Sequence, residues 1–373
     1  MKTFLILGGY GNTGKLVAEL LLKETDCKII IAGRSSDKSK LLADKLNLLN
    51  PNNRVYFQGL DASNKEQMKT AFKKVDMVLV CSSTLDYYKQ IIDTAIEEGI
   101  DYYDINISEQ KNQYIMSRNE EIIRKNLCFV TDGGFHPGVP AAMVNYASNK
   151  YEEIEKANVY GLMKLNWKEY NFSKETILEF VNEFQNYNAA IFKNKKWRKA
   201  KTSDFIKIDF GKPYGKHRLY PMNLDEMKEL PGKYMSLNET GFYVSGFNWF
   251  VDLFVLPFAI ITLKLFGKRA LNIVGKVFVK GLKGFTNPPY GIILKLNSEG
   301  IINGEQRKYE MKLIHENGYI VTAVPIVAFL KQYLNGTAKK TGVWYQANIV
   351  EPEQFFDDIR KMGVNIEESI IEN

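Results

Sequence analysis

The sequence is poor in cysteine and histidine, and these shortages limit the chemistry open to it. Its 373 residues include three cysteines, Cys27, Cys81 and Cys128, and three histidines. The cysteines are odd in number, show no Cys-x-x-Cys spacing and lie in or beside apolar runs, so disulfide and zinc sites are not expected. We predict reduced core cysteines, no metal site and a cytoplasmic location.

A strong charge excess and long uninterrupted apolar runs are also lacking. The 50 basic and 43 acidic residues give a net charge of +7, which suits an anionic small ligand as well as a nucleic acid or a membrane and so selects no partner. The apolar run at residues 4–7 is too short for a signal peptide. A transmembrane span over residues 249–266 is not expected, because Asp252, Pro257 and Lys264 interrupt it.

The first third of the chain alternates β-rich runs with amphipathic helical stretches, a pattern that predicts parallel strands joined by crossover helices. The expected strands are residues 3–7, 28–32, 55–58, 77–81, 102–104 and 128–131. The expected helices are residues 13–23, 38–46, 65–72, 85–98 and 108–125. The fold class is therefore α/β, with an N-terminal Rossmann-type doubly wound parallel sheet.

The rhythm breaks at the turn-rich residues 133–138, and a chain of this length favours two domains. We expect Pro137 to begin a helix there. Further on, residues 291–297 and 308–315 alternate like antiparallel strands joined through Gly300 and Gly304. We divide the chain into a dinucleotide-binding domain (1–135), a mixed α+β domain (136–325) and C-terminal helices (326–334 and 352–362, within 326–373) that return to the first domain.

A glycine-rich loop follows the first expected strand. Its sequence is Gly9-Tyr10-Gly11-Asn12-Thr13-Gly14. A strand that ends in glycines and turns directly into a helix gathers backbone N–H groups and the positive end of the helix dipole around one small volume, which a pyrophosphate fits. In this context the loop predicts a dinucleotide site, and the alternative is a purely structural turn.

The end of the second expected strand points to the type of dinucleotide. An acid at this position binds the ribose hydroxyls of NAD. Here the chain has Arg34, Ser35, Ser36 and Lys38. Arg34 can hold a 2′-phosphate through charge-assisted hydrogen bonds that the serines extend, which favours NADP. Alternatively, Arg34 and Lys38 are solvated residues that open a surface helix.

Two more strand ends point to the same edge of the sheet, where open α/β sheets bind ligands. Asp61 and Ala62 follow the third strand and are candidates to contact the adenine. Cys81, Ser82 and Ser83 follow the fourth and are candidates to border the pyrophosphate or the nicotinamide ribose. Helix capping is the alternative for Asp61 and for the serines.

Five short stretches carry a resemblance to a known family. They are residues 8–14, 32–34 (Ala-Gly-Arg), 101–104 (Asp-Tyr-Tyr-Asp), 132–138 (Asp-Gly-Gly-Phe-His-Pro-Gly) and 342–356. On these the chain resembles the saccharopine dehydrogenase family, which includes saccharopine reductase-like and lysine dehydrogenase-like proteins. The resemblance implies a Rossmann domain interrupted by a substrate and dimerisation domain, a homodimer, a nicotinamide cofactor, and hydride transfer at a C–N centre of an amino-acid-derived substrate.

The chain departs from that family in two places. Members often have an acid where this sequence has His136. The stretch 247–285 is unusually aromatic and apolar, and resembles a branch thought to act on lipids or near membranes. Two alternatives therefore stay open: a reductase of a lipid-like substrate, and a cofactor-binding regulatory protein without turnover.

Hydride transfer requires a nearby group that exchanges a proton with the reacting heteroatom. His136, at the expected domain crossing, is the first candidate, and the alternative is a turn residue bonded to backbone. Asp104, at the end of the fifth strand, is the second candidate, and the alternative is a helix cap.

Partners other than a small-molecule substrate receive weaker support. The basic run 193–201 predicts a solvated hairpin, so no nucleic acid is expected. Residues 247–285 are expected to be buried in the substrate domain or in a subunit interface. Phe250, Phe254, Phe258 and Ile261 recur at helical spacing, which leaves a peripheral membrane contact open.

Overall fold

The computed structural model describes residues 1–50, 52–170, 177, 181 and 189–371. The chain forms two compact units, Met1–Tyr146 with Tyr319–Val364, and Ala147–Gly318 with Asn365–Asn373. We expected divisions after residues 135 and 325, and a C-terminus wholly in the first unit. The difference arises because the helices at both crossings bury apolar side chains in the core of the first unit, where Tyr146 packs against Phe356.

Strands and helices are numbered in chain order. The strands are β1 (Thr3–Leu7), β2 (Lys28–Gly33), β3 (Val55–Gly59), β4 (Met77–Val80), β5 (Asp101–Asp104), β6 (Cys128–Thr131), β7 (Glu153–Lys164), β8 (Ala190–Lys193), β9 (Lys196–Lys199), β10 (Ile206–Asp209), β11 (Lys216–Met222), β12 (Glu239–Ser245), β13 (Gly291–Ile302), β14 (Glu305–His315), β15 (Gly342–Tyr345) and β16 (Asn365–Ile371). The helices are α1 (Asn12–Glu24), α2 (Ser36–Leu49), α3 (Lys65–Phe72), α4 (Tyr88–Glu98), α5 (Glu109–Ser117), α6 (Asn119–Arg124), α7 (Pro140–Ser148), α8 (Asp225–Lys228), α9 (Leu230–Lys233), α10 (Leu256–Phe266), α11 (Leu271–Gly284), α12 (Gly318–Asn335), α13 (Gln346–Ile349) and α14 (Pro352–Lys361).

The first unit contains a parallel sheet with the strand order β15-β6-β5-β4-β1-β2-β3. The order reverses direction between β1 and β4, which is the feature of a doubly wound sheet that creates a ligand crevice. The expected α/β class and the six expected strands are confirmed. The helix expected at Pro137 begins instead at Pro140, where the fixed φ of proline suits a first helical position.

The second unit contains a mixed sheet with the order β10-β11-β12-β7-β13-β14-β16, and β8 pairs with β12 and β9. The expected antiparallel pair is confirmed as β13 and β14. Gly300 does not form their turn, because it lies inside β13 beside an irregularity in the pairing with β7. The turn is Asn303-Gly304, with φ of 52° and 75°, the conformation that a two-residue hairpin favours. The basic run forms the β8–β9 hairpin, as predicted.

Residues 249–284, called here the helical segment, are helical from a π turn (Val251–Val255) through α10, a 3-10 turn (Gly267–Ala270) and α11. Every fourth residue from Val251 through Val255 and Ala259 to Leu263 is buried. Much of the remaining apolar surface is exposed within the chain, so the substrate domain alone does not bury residues 247–285, and burial of this surface in a subunit interface stays a prediction.

In the described parts of the chain, we find no helix with the length and apolarity needed to cross a bilayer. The three cysteines are free and buried, as predicted.

Candidate functional site

The glycine-rich loop is fixed to the second strand of the sheet. The N–H groups of Gly8 and Gly9 donate to the carbonyl of Ala32 at 2.9 and 3.0 Å, and Gly11 N–H donates to the Gly8 carbonyl at 2.9 Å. Gly8 adopts a φ of +83°, which glycine reaches without a Cβ clash. The loop is therefore a preformed turn at the carboxyl edge of the sheet.

The amino end of α1 opens directly from this loop. The N–H of Lys15 donates to the Gly11 carbonyl at 3.0 Å as the first bond of the helix. The N–H groups of Thr13 and Gly14 precede it and point out of the positive end of the helix dipole. This arrangement binds phosphate groups in many proteins.

Two of the motif glycines differ in what a side chain would meet. A Cβ on Gly14 would overlap the Gly8 carbonyl oxygen and come within 2.8 Å of Gly9 Cα, so Gly14 lets the helix pack against the loop. A Cβ on Gly11 would meet the Gly8 oxygen at 3.0 Å. The space beyond Gly11 is therefore open to a ligand, as the phosphate-cradle interpretation requires.

Aromatic and amide side chains close in around the loop. The ring of Tyr10 lies so near Gly33 that a Cβ there would come within 2.5 Å of it, and Tyr10 Oη accepts from the N–H of Ser35 at 3.2 Å. Asn12 Nδ2 donates to Tyr319 Oη at 2.9 Å. Tyr319 opens α12, so it joins the site from a remote part of the sequence that motif reasoning did not reach.

The end of β2 presents the cationic residues expected to select the dinucleotide. Arg34, Ser36 and Lys38 are exposed. Ser35 caps α2, since its Oγ accepts from the Lys38 N–H at 3.3 Å. The serine hydroxyl thus fixes the start of the helix beside Arg34.

The end of β3 is a polar turn. Asp61 Oδ1 accepts from the N–H and the Oγ of Ser63 at 2.9 and 2.8 Å. These bonds, and to a smaller degree the charge of Arg34, lower the pKa of Asp61. The cap of α3 is Asn64 rather than Asp61, because its side chain accepts from Gln67 N–H. The next candidate, Ala62, is buried.

The end of β4 provides a hydroxyl that fits a ligand role. Burial, and to a lesser degree the charge of Asp104, raises the pKa of Cys81 to about 12, so the thiol stays protonated. Ser82 Oγ is buried without a hydrogen-bond partner and its Cβ would lie 2.6 Å from a Cβ on Gly8. Ser83 lies beside it, half-buried, and the cap of the following 3-10 turn is Thr84. The unsatisfied hydroxyl next to the glycine loop is what a dinucleotide site would leave open.

A buried ion-pair cluster lies below the ends of β5 and β6. Lys111 Nζ contacts Asp104 Oδ1, and lies 3.5 Å from Asp132 Oδ1. Thr131 Oγ1 donates to Asp104 Oδ2 at 3.0 Å, and Asn112 Nδ2 donates to Asp132 Oδ2 at 3.0 Å. Asp104 is 0% exposed, so it is unsuited to donate a proton to substrate, and the cap of α5 is Ser108. Asp104 instead holds Lys111, whose role no sequence pattern indicated.

The turn 133–138 is fixed to the first unit by buried polar contacts. Gly134 N–H donates to Tyr103 Oη at 3.1 Å and its carbonyl accepts from Gln346 Nε2 at 3.2 Å. Tyr103 Oη also donates to Gln346 Oε1. His136 follows, with its ring edge-on to Phe135 at 5.3 Å. Burial lowers the pKa of His136 to about 4, so its imidazole is neutral near pH 7.

The second unit contains a cavity of about 340 Å³. Its wall combines cations, one carboxyl group and aromatic rings, among them Lys164, Arg218, Asp252, Phe247, Trp249 and Phe285. Burial lowers the pKa of Lys164 and raises that of Asp252 to about 6. His217 also lines it. The cavity can receive a molecule with an anionic group and an apolar body.

The N-terminal part of the chain matches a known protein family, and the whole chain is similar in fold to solved structures. Residues 4–126 match the family model described as saccharopine dehydrogenase NADP binding domain. The chain is similar to apo histidine-tagged saccharopine dehydrogenase (L-Glu forming) from Saccharomyces cerevisiae, with 14% identity, a TM-score of 0.70 and 100% of each chain covered. It also aligns with a mutant meso-dapdh from Clostridium tetani E88, with 14% identity, a TM-score of 0.47, and 97% of this chain and 99% of that chain covered.

No curated protein sequence matches the chain. The similarity to the yeast structure shows a shared two-domain fold. The residues matched by the family model include the glycine loop, Arg34 and the ends of β3, β4 and β5. The N-terminal part of the chain, residues 4–126, therefore contains a domain of the kind described as saccharopine dehydrogenase NADP binding domain.

Proposed function

We propose that this chain is an NADP-dependent oxidoreductase of saccharopine dehydrogenase type that transfers hydride at a C–N centre of an amino-acid-derived substrate. The observation that carries the proposal is a phosphate cradle at Gly11 combined with an exposed arginine, Arg34, at the end of the next strand. The coarser function, an oxidoreductase with a nicotinamide cofactor, follows from the family match.

Different residues of the first unit would bind different parts of the cofactor. The amide groups of Thr13 and Gly14 would bind the pyrophosphate, and Arg34 the 2′-phosphate. Ser82 Oγ would bind a ribose hydroxyl or phosphate oxygen and thereby gain the hydrogen bond it lacks. NADPH, when bound, supplies the hydride that a reductase of this class transfers.

His136 is proposed to accept a proton. Because burial lowers its pKa to about 4, the imidazole is neutral at pH 7 and can accept a proton. It would take the proton that an amine loses on oxidation, and in the reverse reduction of an imine the same proton would return to the nitrogen.

The cavity of the second unit supports a substrate with a carboxylate. In the described part of the chain, no acidic side chain is ion-paired with Lys164 or Arg218. The guanidinium of Arg218 lies over the rings of Phe205 and Tyr220 at 5.4 and 5.9 Å, which orients it without neutralising its charge. A carboxylate would supply the missing counter-charge.

A second candidate, a lipid-like substrate, is favoured by the aromatic part of the same cavity. Trp249 and Phe285 contact each other at 5.1 Å, and Phe250 stacks on Phe285 at 4.1 Å. Trp249 and Phe250 also begin the helical segment, and Phe285 follows its last residue. An acyl chain would contact apolar side chains of the cavity wall and of the exposed helical segment.

Turnover assays separate these candidates. Purified full-length protein is supplied with NADPH and two substrate panels: α-keto acids paired with amino acids, and long-chain ketones or enoyl esters. Oxidation of NADPH with the first panel is expected. Activity confined to the second panel would replace the amino-acid proposal with the lipid one, and NADPH binding without turnover on either would favour a regulatory protein.

We also propose a cytoplasmic homodimer. Three free, buried cysteines support a reducing compartment. Light scattering of the purified protein measures the oligomeric state, and a monomer at all concentrations would contradict the dimer.

A further inference from the structure

The helical segment exposes an apolar surface that the chain itself leaves uncovered. Eight large side chains of the segment are between 51% and 70% exposed: Trp249, Leu253, Phe254, Ile260, Ile261, Leu265, Phe266 and Ile273. Contiguous exposed apolar surface on this scale marks an interaction site.

One side of the segment is held firmly on its domain. The stripe from Val251 to Leu263 described above is buried, and α11 packs closely across it, since a Cβ on Gly281 would meet Val251 and Val255 side chains at 3.0 and 3.1 Å. The segment therefore presents only its outer side, and it lies along the surface of the domain.

The helical segment carries a strong excess of positive charge. Its six basic residues stand against one acid, Asp252, and no other acidic residue occurs before Glu299. Lys264, Arg269, Lys276 and Lys280 are exposed, whereas Asp252 lines the cavity and burial raises its pKa to about 6. The outer side of the segment is therefore apolar and cationic, and the segment itself contributes no exposed acid to it.

We propose that the outer side of the helical segment docks on an anionic phospholipid surface. The apolar side chains enter the boundary between headgroups and acyl chains, and the lysines and arginine contact the lipid phosphates. This inference is independent of the substrate and of the cofactor.

The charge distribution favours lipid over a second copy of the chain. A two-fold contact through this surface would place the cations of both copies in one interface, with no exposed acid of the segment to pair with them. An anionic membrane supplies the opposite charge over the whole surface.

The test is co-sedimentation of the full chain with vesicles. Binding to vesicles of phosphatidylcholine with phosphatidylserine is expected to exceed binding to phosphatidylcholine alone, and to fall with added salt. The double variant Phe254→Asp with Leu265→Asp should lose vesicle binding at least about tenfold. Leu48→Asp, at a site 87% exposed on α2, is the matched control and should bind like the wild type.

A second pair of variants tests the charge. Lys276→Glu with Lys280→Glu should weaken binding by at least about tenfold, whereas Lys196→Glu with Lys199→Glu in the β8–β9 hairpin should change it little. Thermal unfolding and NADPH affinity are measured for every variant to confirm the fold. Absence of vesicle binding, equal losses in the controls, or a dimer that Phe254→Asp with Leu265→Asp dissociates would overturn the proposal.

Discussion

Lys111 shows how a single side chain can organise the carboxyl edge of the first sheet. It is 0% exposed and lies between two carboxylates, Asp104 and Asp132, that are also buried. A buried charge is tolerated only when its partners and hydrogen bonds are complete. Here Thr131 and Asn112 complete the cluster directly beneath the turn that carries His136.

Removing this lysine should destabilise the first unit strongly. Lys111→Met keeps the volume of the side chain but leaves two buried carboxylates without a counter-charge, which costs about 3–5 kcal/mol of unfolding free energy. Urea unfolding measures the loss. Lys69→Met, which breaks an exposed ion pair with Glu97, is the control and should have little effect. A small loss for Lys111→Met would show that the cluster is hydrated and not a buried network.

Arg34 should discriminate between the two dinucleotides. Arg34→Ala is expected to weaken NADPH binding by about 1.5–3 kcal/mol, the range for a hydrogen bond to a charged group, and to leave NADH nearly unchanged. Calorimetric titration of both cofactors measures the difference, with Lys45→Ala on α2, the helix that follows Arg34, as control. Equal losses of affinity for NADPH and NADH would show that Arg34 does not bind the 2′-phosphate.

The sequence predicts site residues whose positions a motif determines. It does not predict those that come together only in the folded chain. Arg34 follows a strand at a known distance from the glycine loop, so its place could be read directly. Nothing in the sequence shows that Lys111 is buried, because its partner Asp132 lies 21 residues away and reaches it only through the sheet. Tyr319 meets Asn12 across 307 residues, beyond the reach of any local pattern.

Among the elements, the buried strand β4 was predictable, whereas the edge strands β15 and β16 were not. All four residues of β4 are buried, so its sequence is a continuous apolar run between turns. β16 is exposed at nearly every position and carries Glu367 and Glu368, so it lacks the alternation that identifies a strand. β15 has only four residues, too few for a periodic signal.

Substitutions at two glycines, one in the loop and one at the start of α1, should have different effects. Gly11→Val should abolish dinucleotide binding with the melting temperature preserved, because its side chain enters the ligand space and meets only the Gly8 oxygen. Gly14→Val should lose binding and stability together, because it collides with the backbone of Gly8 and Gly9. Cofactor titration and thermal unfolding separate the two effects. Normal binding by Gly11→Val would mean that the loop is only structural.

For the whole molecule, acid should act on the two units with opposite signs. The pKa of His136 falls from 6.5 to about 4 on folding, so between these values the unfolded chain binds the extra proton and acidification destabilises the first unit. The pKa of Asp252 rises from 3.8 to about 6, so in that window the folded chain holds the proton and acidification stabilises the second unit.

Calorimetric unfolding at about pH 7 and about pH 5 measures both contributions. Compared with the wild type, His136→Gln should lose less stability on acidification, and Asp252→Asn should gain less. Variants that shift with pH in the same way as the wild type would show that neither group changes its pKa on folding.

The chain order of the two units bears on how the protein is made. The polypeptide leaves the first unit after Tyr146 and returns at Tyr319, and β15 completes the first sheet against β6. A ribosome that adds about 5–20 residues per second needs on the order of ten to forty seconds between these two strands. During that interval β6 is an unpaired edge, and Tyr103 and Asp101 lack Phe329 and Tyr333 of α12, their partners in the finished fold. The nascent first unit therefore exposes the edge of β6 and lacks these contacts until the second unit has been synthesised.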